Sequence, residues 1–461
     1  MRYLSTRGSC PPVAFDGALL GGLAPDGGLY VPERWPDIDV HPSVERYPDV
    51  AVDVLAPYVS PVISRDDLRR LVEEAYAVFS HPDVCPVRPL EDGLWLLELF
   101  WGPTLAFKDV ALQLVGRLFE RELERRDERA TILVATSGDT GSAAIEACRN
   151  QPRLDIVVLH PAGRVSDVQR RQMTTVDEPN VHNVEIDGDF DTCQDLVKAM
   201  LADRALRDEL SLSAMNSINW ARVMTQVVYY VTAAAAVAPD GRPVSFSVPT
   251  GNFGNVLAGW VASQGGLAVD GLIVASNSND ILTRWIDTGV MEMEGVEPTF
   301  SPSMDIQVSS NAERYLWELY GRNGAVVAEA MADLRARGRL DIGPARHERL
   351  RATFAGVRVD DDATLAEIRR VHESDGVLVD PHTAVAIAAA RAVPRDPDVP
   401  RVALATAHPA KFPDAVEAAT GVRPLLPEHL ADLLDRPEAF ATLPDDPSVL
   451  ADHLRTVVGH R

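Results

Sequence analysis

The sequence contains few cysteines and no apolar run long enough to cross a membrane. The four cysteines, Cys10, Cys85, Cys148 and Cys193, are widely spaced and form no C-x-x-C pair. This spacing argues against a zinc site and against a disulfide scaffold. The N-terminus, M-R-Y-L-S-T-R-G, also lacks the apolar core of a signal peptide. We therefore expect a cytoplasmic protein with no metal centre and no membrane contact.

Basic residues are scarce as well. Lysine and arginine number 44 against 68 aspartate and glutamate residues, which gives a formal net charge of −24. A field of this sign disfavours nucleic acid and anionic membranes as partners. A small anionic substrate remains compatible with it, provided that hydrogen-bond donors cluster locally. The length of 461 residues and the hydrophobic content of 46% are typical of a globular protein with two or three domain-sized parts.

From about residue 93 the chain alternates short apolar runs with helical patterns. The stretches Thr131–Ala135, Val181–Ile186, Val244–Val248 and Arg401–Ala405 predict strands, of which 131–135 and 401–405 are expected to be buried. Such alternation is typical of an α/β fold with largely parallel sheets. We predict two α/β domains after an N-terminal extension, with the extension at 1–88, one domain at 89–235 and a larger one at 236–461.

Three local predictions concern less regular parts of the chain. The pattern from Phe190 to Leu206 predicts one helix, and the stretch 376–384 predicts a strand that runs into a helix. The acidic, leucine-rich tail from Pro427 predicts helix. No internal repeat or low-complexity stretch is present.

Lys108 occupies an unusual position for a lysine. It directly precedes a helix that the pattern predicts from Asp109 to Arg126. Asp109 suits the helix dipole there, whereas a lysine does not. The apolar residues 105–107 before it favour a desolvated amine that can form a Schiff base with an aldehyde cofactor. The alternative is a surface lysine at the end of a loop, which is the usual fate of a lone lysine.

The residues around Lys108 resemble a known family. Glu98, Thr104 and A-F-K-D at 106–109 resemble the pyridoxal-phosphate attachment signature of the serine/threonine dehydratase superfamily. G-P-T-L-A-F-K-D at 102–109 resembles the threonine synthase family in particular. The resemblance extends from R-Y-L-S-T-R-G at 2–8 to A-T-A-H-P-A-K-F at 405–412. It implies fold type II of the pyridoxal-phosphate enzymes, with pyridoxal 5′-phosphate on Lys108. It also implies a lyase that converts O-phospho-L-homoserine and water to L-threonine and phosphate.

The stretch P-T-G-N-F-G-N at 249–255 follows an apolar run and precedes a helical one. Glycines there let backbone N–H groups approach an anion at a helix N-terminus. The motif is neither a Walker A loop nor a dinucleotide fingerprint, and an ordinary strand-to-helix turn is the alternative. The resemblance implies that this loop holds the cofactor phosphate through Gly251, Asn252, Phe253 and Asn255.

The stretch T-S-G-D-T-G at 136–141 also joins a predicted strand to a helix. Ser137, Asp139 and Thr140 are candidates to cap that helix. In related enzymes the matching loop binds the substrate α-carboxylate, often with Asn at the position of Asp139. Because Asp139 is negative, we expect Thr136, Ser137, Thr140 and the loop N–H groups to make this contact instead.

Two further stretches carry candidates for anion and ring contacts. N-S-I-N-W-A-R at 216–222 places Asn219 and Arg222 on one helix face, and a capped helix with a surface arginine is the alternative. The resemblance implies a substrate-phosphate site there. It also implies that Thr406, at a strand end, faces the pyridine nitrogen, while Lys411 serves either the substrate phosphate or loop solvation. The substrate-phosphate candidates are Asn216, Ser217, Asn219, Arg222 and Lys411.

Other functions remain open at this point. A phospholyase or dehydratase on the same scaffold would release 2-oxobutyrate instead of threonine. A binding protein that kept the fold without the cofactor is disfavoured by Lys108. A nucleotide-binding phosphotransferase is disfavoured because the 249–255 loop contains no lysine. We expect a monomer or homodimer.

Overall fold

The computed structural model describes residues 1–38, 46–91, 93–394 and 396–458. They form two compact units, each built from two separate parts of the chain. Unit 1 comprises Met1–Gly102 and Ser217–Pro424, and unit 2 comprises Pro103–Asn216 and Leu425–Arg461. This grouping differs from the consecutive division at 88 and 235, because strands from distant parts of the chain pair within one sheet.

The strands are short and mostly buried. In chain order they are β1 (Tyr3–Ser5), β2 (Tyr30–Pro32), β3 (Val87–Glu91), β4 (Leu94–Glu98), β5 (Ala130–Ala135), β6 (Leu154–Pro161), β7 (Val181–Ile186), β8 (Leu212–Ser213), β9 (Val244–Pro249), β10 (Val269–Ser276), β11 (Val290–Glu292), β12 (Arg339–Asp341), β13 (Phe354–Arg358), β14 (Arg401–Ala405) and β15 (Ala441–Leu443).

The helices alternate with these strands over most of the chain. They are α1 (Phe15–Gly21), α2 (Tyr47–Val59), α3 (Arg65–Tyr76), α4 (Lys108–Arg126), α5 (Asp139–Cys148), α6 (Asp167–Thr174), α7 (Phe190–Ala202), α8 (Arg204–Glu209), α9 (Trp220–Val237), α10 (Gly254–Gln264), α11 (Ile281–Thr288), α12 (Ala312–Leu319), α13 (Gly324–Arg337), α14 (Pro344–Arg351), α15 (Asp361–Asp375), α16 (Pro381–Ala392), α17 (Pro413–Thr420) and α18 (Pro447–Val458).

Unit 1 is organised around a six-stranded sheet in the order β13-β10-β9-β14-β4-β3. All neighbours in this sheet run parallel except β3, which is antiparallel to β4. The carboxyl ends of the parallel strands therefore lie at one edge. Open α/β sheets present their ligand sites at that edge.

Unit 2 contains a five-stranded sheet in the order β15-β7-β6-β5-β8, and every pair in it is parallel. Its apolar core joins the sheet to α7, α8 and α18, through residues such as Val157, Leu196 and Leu454. The prediction of an α/β fold with parallel sheets is thus confirmed in both units. The strands predicted at Val181–Ile186 and Arg401–Ala405 have the observed bounds.

Three local predictions are wrong. The tail is not helical throughout: two short 3₁₀ turns at Glu428–Leu430 and Leu433–Asp435 precede β15, and only α18 is an α-helix. The single helix predicted at 190–206 is two helices, because Asp203 ends α7 and its carboxylate caps α8. No strand forms at 376–379. There Val377 and Leu378 pack against a core cluster without entering a sheet.

The N-terminal segment supports the start of α9 within unit 1. The rings of Tyr3 and Tyr58 lie 6.3 and 5.8 Å from that of Trp220, the first residue of α9. Asn219 Nδ2 donates to the backbone oxygen of Leu19 at 2.8 Å. The N-terminal segment therefore contacts a candidate site at the start of α9, although the sequence pattern predicted no catalytic or binding role for this segment. No helix in the described ranges is long and apolar enough to span a membrane.

Candidate active site

Lys108 is the first residue of α4 and is almost fully buried in unit 2, at 8% exposure. The loop before it is held tightly. Leu105 adopts φ +61°, a left-handed conformation that is uncommon for residues other than glycine. The Asp109 carboxylate accepts from the backbone N–H of Thr104 at 2.8 Å and from its hydroxyl at 2.7 Å. The surface-lysine alternative is therefore wrong.

The Lys108 amine lies beside a carboxylate. Its Nζ is 3.3 Å from Asp139 Oδ2 and 5.0 Å from the centre of the Phe107 ring. The other Asp139 oxygen accepts from Gln169 Nε2 at 2.9 Å. The apolar setting predicted from residues 105–107 was therefore incomplete. Sequence reasoning could not find this contact, because Lys108 and Asp139 are 31 residues apart.

The loop from 136 to 141 is held by its own side chains. The Thr136 hydroxyl accepts from the N–H groups of Gly138 and Gly141, both at 2.9 Å. The capping predicted for Ser137, Asp139 and Thr140 is wrong, because Gly138 is the N-cap of α5 and it is the Thr136 hydroxyl that accepts from a first-turn N–H, that of Gly141. The Thr136 hydroxyl is thus already engaged by backbone N–H groups of its own loop. Ser137 and Thr140 remain half-buried at the loop surface, where they can meet a ligand.

In unit 1, the 249–255 loop leads from β9 into α10 as predicted. Phe253 is the N-cap of α10 and adopts φ +61°. A Cβ on Gly251 would lie 2.7 Å from the backbone oxygen of Ser303, so only glycine fits there. The Asn252 backbone oxygen accepts from the N–H and the side-chain amide of Asn311 at 3.1 and 3.0 Å. These contacts fix a helix N-terminus whose first N–H groups have no intrahelical acceptor.

Asn255 presents an unsatisfied donor in the same loop. Its Oδ1 accepts from the hydroxyls of Tyr229 and Tyr230 at 2.6 and 2.9 Å. Its Nδ2 is buried and has no hydrogen-bond partner within the described part of the chain. Buried polar groups without a partner are uncommon, and a bound ligand is one explanation for them.

Thr406 lies next to this loop across the sheet. β14 and β9 are parallel neighbours that pair Ala403 with Ser247, and Thr406 and Thr250 directly follow these two strands. Both residues follow the carboxyl ends of their strands, and Thr406 is 5% exposed. Unit 1 therefore brings the predicted ring-nitrogen contact and the predicted phosphate loop to one edge of one sheet.

The candidates at 216–222 divide into structural and chemical ones. Asn219 caps α9 through its Oδ1, which accepts from the Ala221 N–H at 3.0 Å, and it is fully buried. The backbone oxygen of Ser217 accepts from the Asn311 amide at 3.1 Å. Asn216 belongs to unit 2, where the 103–216 part of the chain ends. The capped-helix alternative is thus confirmed for Asn219.

Arg222 is not the surface residue of that alternative. It is 4% exposed, and its Nη1 has no hydrogen-bond partner among the residues that the structure describes. Burial lowers the pKa of Arg222 to about 10. A buried cation without a counter-charge is costly, and bound anions are a recurrent reason to retain one.

Lys411 is also fully buried, in the 3₁₀ turn Pro409–Lys411 that follows Thr406. Its alternative role in loop solvation is therefore wrong. The sequence contains only three lysines, Lys108, Lys198 and Lys411. Lys198 is exposed and pairs with Asp195 at 2.8 Å. The small number of lysines was a clue in the sequence that the motifs did not reveal, because two of the three lysines are buried at candidate site positions.

Comparisons with known proteins decide the family. Residues 2–76 match the family described as "Threonine synthase N terminus", 86–404 match "Pyridoxal-phosphate dependent enzyme", and 383–454 match "Threonine synthase, C-terminal". The threonine synthase of Pseudomonas aeruginosa is 50% identical over 97% of this chain and 96% of its own length. The chain belongs to the threonine synthase family.

Solved threonine synthases share the whole fold. The pyridoxal-phosphate-bound threonine synthase of Brucella melitensis superposes with a TM-score of 0.97 at 49% identity, over 99% of both chains. The yeast threonine synthase gives 0.94 at 35% identity, over 100% of this chain and 99% of its own. The chain is therefore a pyridoxal-phosphate-dependent enzyme with the threonine synthase fold.

The residues of this threonine synthase-family chain fit the cofactor. A buried lysine is available for its aldehyde. The Gly251 turn and the unsatisfied Asn255 Nδ2 offer donors of the kind that a phosphate accepts. No group of three potential metal-ligating side chains occurs in the described ranges.

Proposed function

We propose that this threonine synthase-family chain converts O-phospho-L-homoserine and water to L-threonine and phosphate. The observation that carries the choice of substrate is Arg222, a buried guanidinium with an unpartnered nitrogen. A phosphorylated substrate supplies the dianion that such a group needs. Arg222 precedes Tyr229 by seven residues on α9, which is about 10 Å along the helix. The Arg222 position is thus separate from the Asn255 position that Tyr229 contacts.

We assign the cofactor contacts to the candidates that the structure holds in place. Lys108 would bind the aldehyde covalently, and the loop residues Gly251, Asn252, Phe253 and Asn255 would hold the cofactor phosphate. Thr406 would donate or accept a hydrogen bond at the pyridine nitrogen. When bound, the cofactor supplies an electron sink that stabilises negative charge at the substrate Cα.

The substrate contacts follow from the hydroxyls and cations that the fold leaves for a ligand. Ser137, Thr140 and the N–H groups of their loop would bind the α-carboxylate, whereas Thr136 would shape that loop. Arg222 and Lys411 would bind the phosphate. Asn216, Ser217 and Asn219 would support this site mainly by holding the start of α9.

The reaction requires protons to move in a fixed order. The Lys108 amine would take the proton from Cα. Loss of a proton from Cβ and departure of phosphate from Cγ then break the C–O bond. A proton returns to Cγ, water adds its hydroxyl to Cβ, and a proton returns to Cα, so that the product is L-threonine. Lys108 would be the base for the proton at Cα, because its amine is buried and is the group proposed to bind the aldehyde. The departing phosphate is the alternative base for the proton at Cβ.

A product assay tests the proposal against the phospholyase alternative. The purified protein, loaded with pyridoxal 5′-phosphate, is incubated with O-phospho-L-homoserine, and amino acids, 2-oxobutyrate and phosphate are quantified. We expect equal amounts of threonine and phosphate. Release of 2-oxobutyrate with phosphate and no threonine would establish the phospholyase instead.

We expect a monomer or homodimer and a cytoplasmic enzyme. The acidic composition and the four free cysteines are compatible with that compartment.

A further inference from the structure

We propose that Asp139 is the counter-ion of Lys108 and holds the amine in its protonated form between proton transfers. The inference deepens the proposed function and rests on it for the catalytic role of Lys108. The resemblance to related enzymes assigns this loop to the substrate carboxylate, often with a neutral Asn in place of Asp139. A carboxylate at this position therefore calls for a separate explanation.

The Lys108–Asp139 pair is buried on both sides. The side chains are 10% and 5% exposed, and Nζ lies 3.3 Å from Oδ2. Two charges in such a place lose much of their hydration, and only their mutual attraction and further hydrogen bonds offset that loss. A surface pair would contribute little. In this geometry, the charge on each side chain is stabilised by the charge on the other.

The Asp139 carboxylate is held as an anion by the fold. Asp139 is the first residue of α5, where the helix dipole favours a negative charge. Its second oxygen accepts from Gln169 Nε2 at 2.9 Å, and a primary amide nitrogen can only donate. Asp139 is therefore oriented to present one anionic oxygen to the amine.

Gly138 makes room for this arrangement. It adopts φ +135°, and a Cβ there would lie 2.5 Å from the Gln169 side-chain amide carbon. The Ser166 hydroxyl accepts from the Gln169 N–H at 3.2 Å and so fixes the start of α6. Gly138, the Gln169 side chain and the Asp139 carboxylate are thus in close contact with one another. A chance contact at the surface would not need such close packing.

The chemical consequence concerns the proton that Lys108 takes from Cα. The C–H bond breaks and an N–H bond forms, so the amine becomes an ammonium. Beside Asp139 this ammonium is stabilised against loss of its proton to water, and the proton remains for transfer to Cγ. That transfer breaks the N–H bond and restores the neutral amine. Asp139 itself stays ionised throughout.

Charged groups on the two helices that carry the pair, and on α6, have contacts of their own. Asp109, on the same helix as Lys108, accepts from Thr104. On α5, Glu146 pairs with Arg149, and on α6, Arg170 and Arg171 pair with Glu438. Asp139 contacts the amine directly.

The test measures how fast the Lys108 amine is acylated in the absence of cofactor and substrate. Cofactor-free protein is labelled at a series of pH values with trace acetic anhydride, which acylates only neutral amines. Peptide mass analysis then gives the rate at each of the three lysines, relative to a free peptide amine. An opposite charge at this distance typically favours the ionised form by about 1–3 pKa units. We therefore expect Asp139→Asn to raise the rate at Lys108 at least about tenfold below the midpoint of its curve.

The chain provides a matched control in Asp195→Asn. It removes the carboxylate from Lys198, which is a surface pair with both side chains about 70% exposed, and we expect less than about a threefold change there. If Asp139→Asn exposes Lys411 to labelling, the fold is disturbed, and Asp139→Ser, also compatible with a helix start, replaces it. An unchanged Lys108 rate in a variant whose Lys411 stays protected would overturn the inference. Failure of the proposed function would show separately, as absence of threonine in the product assay.

Discussion

Replacing Arg222 should make the protein more stable and less active at the same time. Burial lowers the pKa of Arg222 to about 10, against an ordinary value of about 12.5, which corresponds to about 3 kcal/mol against the charged form. The cost is present at every pH below the lowered pKa, and therefore at neutral pH. Arg222→Met removes the charge and keeps most of the volume. Replacing buried ionic groups by apolar side chains of similar volume is often neutral or stabilises the protein by about 1–4 kcal/mol.

The kinetic effect of Arg222→Met should have the opposite sign. A hydrogen bond to a charged group contributes about 1.5–3 kcal/mol. Its loss at the substrate phosphate should lower kcat/KM by roughly 10- to 150-fold. The assays are urea unfolding of the cofactor-free protein and steady-state kinetics with O-phospho-L-homoserine.

Arg314 provides the matched control. It is buried as well, and burial lowers its pKa to about 9, but its donors are satisfied by the protein. It donates to the backbone oxygens of Tyr30 and Ile218 at 2.9 and 2.6 Å and to the Asn311 side chain. Arg314→Met should therefore destabilise, because it leaves buried acceptors unpaired. If Arg222→Met also destabilised and kept full kcat/KM, Arg222 would be a structural residue and the reasoning would be refuted.

Two further predictions concern stability. Burial lowers the pKa of His160, so the unfolded chain binds a proton more readily than the folded protein does. Stability should therefore fall as the pH drops below about 6.5. His160→Phe should flatten the dependence of the urea midpoint on pH, and a parallel shift of the whole curve would contradict this prediction. His382 Nδ1 lies 2.7 Å from Asp380, and its Nε2 accepts from the Ser303 N–H at 3.2 Å, beside Gly251. His382→Phe removes the acceptor of that N–H, which should cost about 1–3 kcal/mol, and it should weaken cofactor binding measured by dialysis. His382→Gln keeps an acceptor and should cost less. Equal effects of the two substitutions would contradict the assigned contact.

Sequence patterns predicted the parts of the fold that depend on local periodicity. Val181–Ile186 and Arg401–Ala405 each pair with parallel strands on both sides, and most or all of their residues are buried. The tail was predicted wrongly, because β15 forms only by pairing with β7, more than 200 residues earlier in the chain. Its leucines favour helix by pattern, and the tertiary contact overrides that preference.

The candidate site was predictable to the extent that single motifs carry chemistry. Lys108 and the 251–255 loop follow from short motifs with a fixed order. The partners of these residues do not, because Asp139, Gln169 and Tyr229 are brought to them by packing between helices. The burial of Arg222 and Lys411 was likewise invisible, since arginine and lysine are mostly exposed.

The covalent attachment of the cofactor to Lys108 is the most direct test of the whole account. Protein loaded with pyridoxal 5′-phosphate is reduced with borohydride and digested, and the added mass is located on the peptides that carry Lys108, Lys198 and Lys411. We predict the mass of the reduced cofactor on the Lys108 peptide alone, and none in Lys108→Ala. Label on the Lys411 peptide, or an active protein with no label at Lys108, would contradict the account.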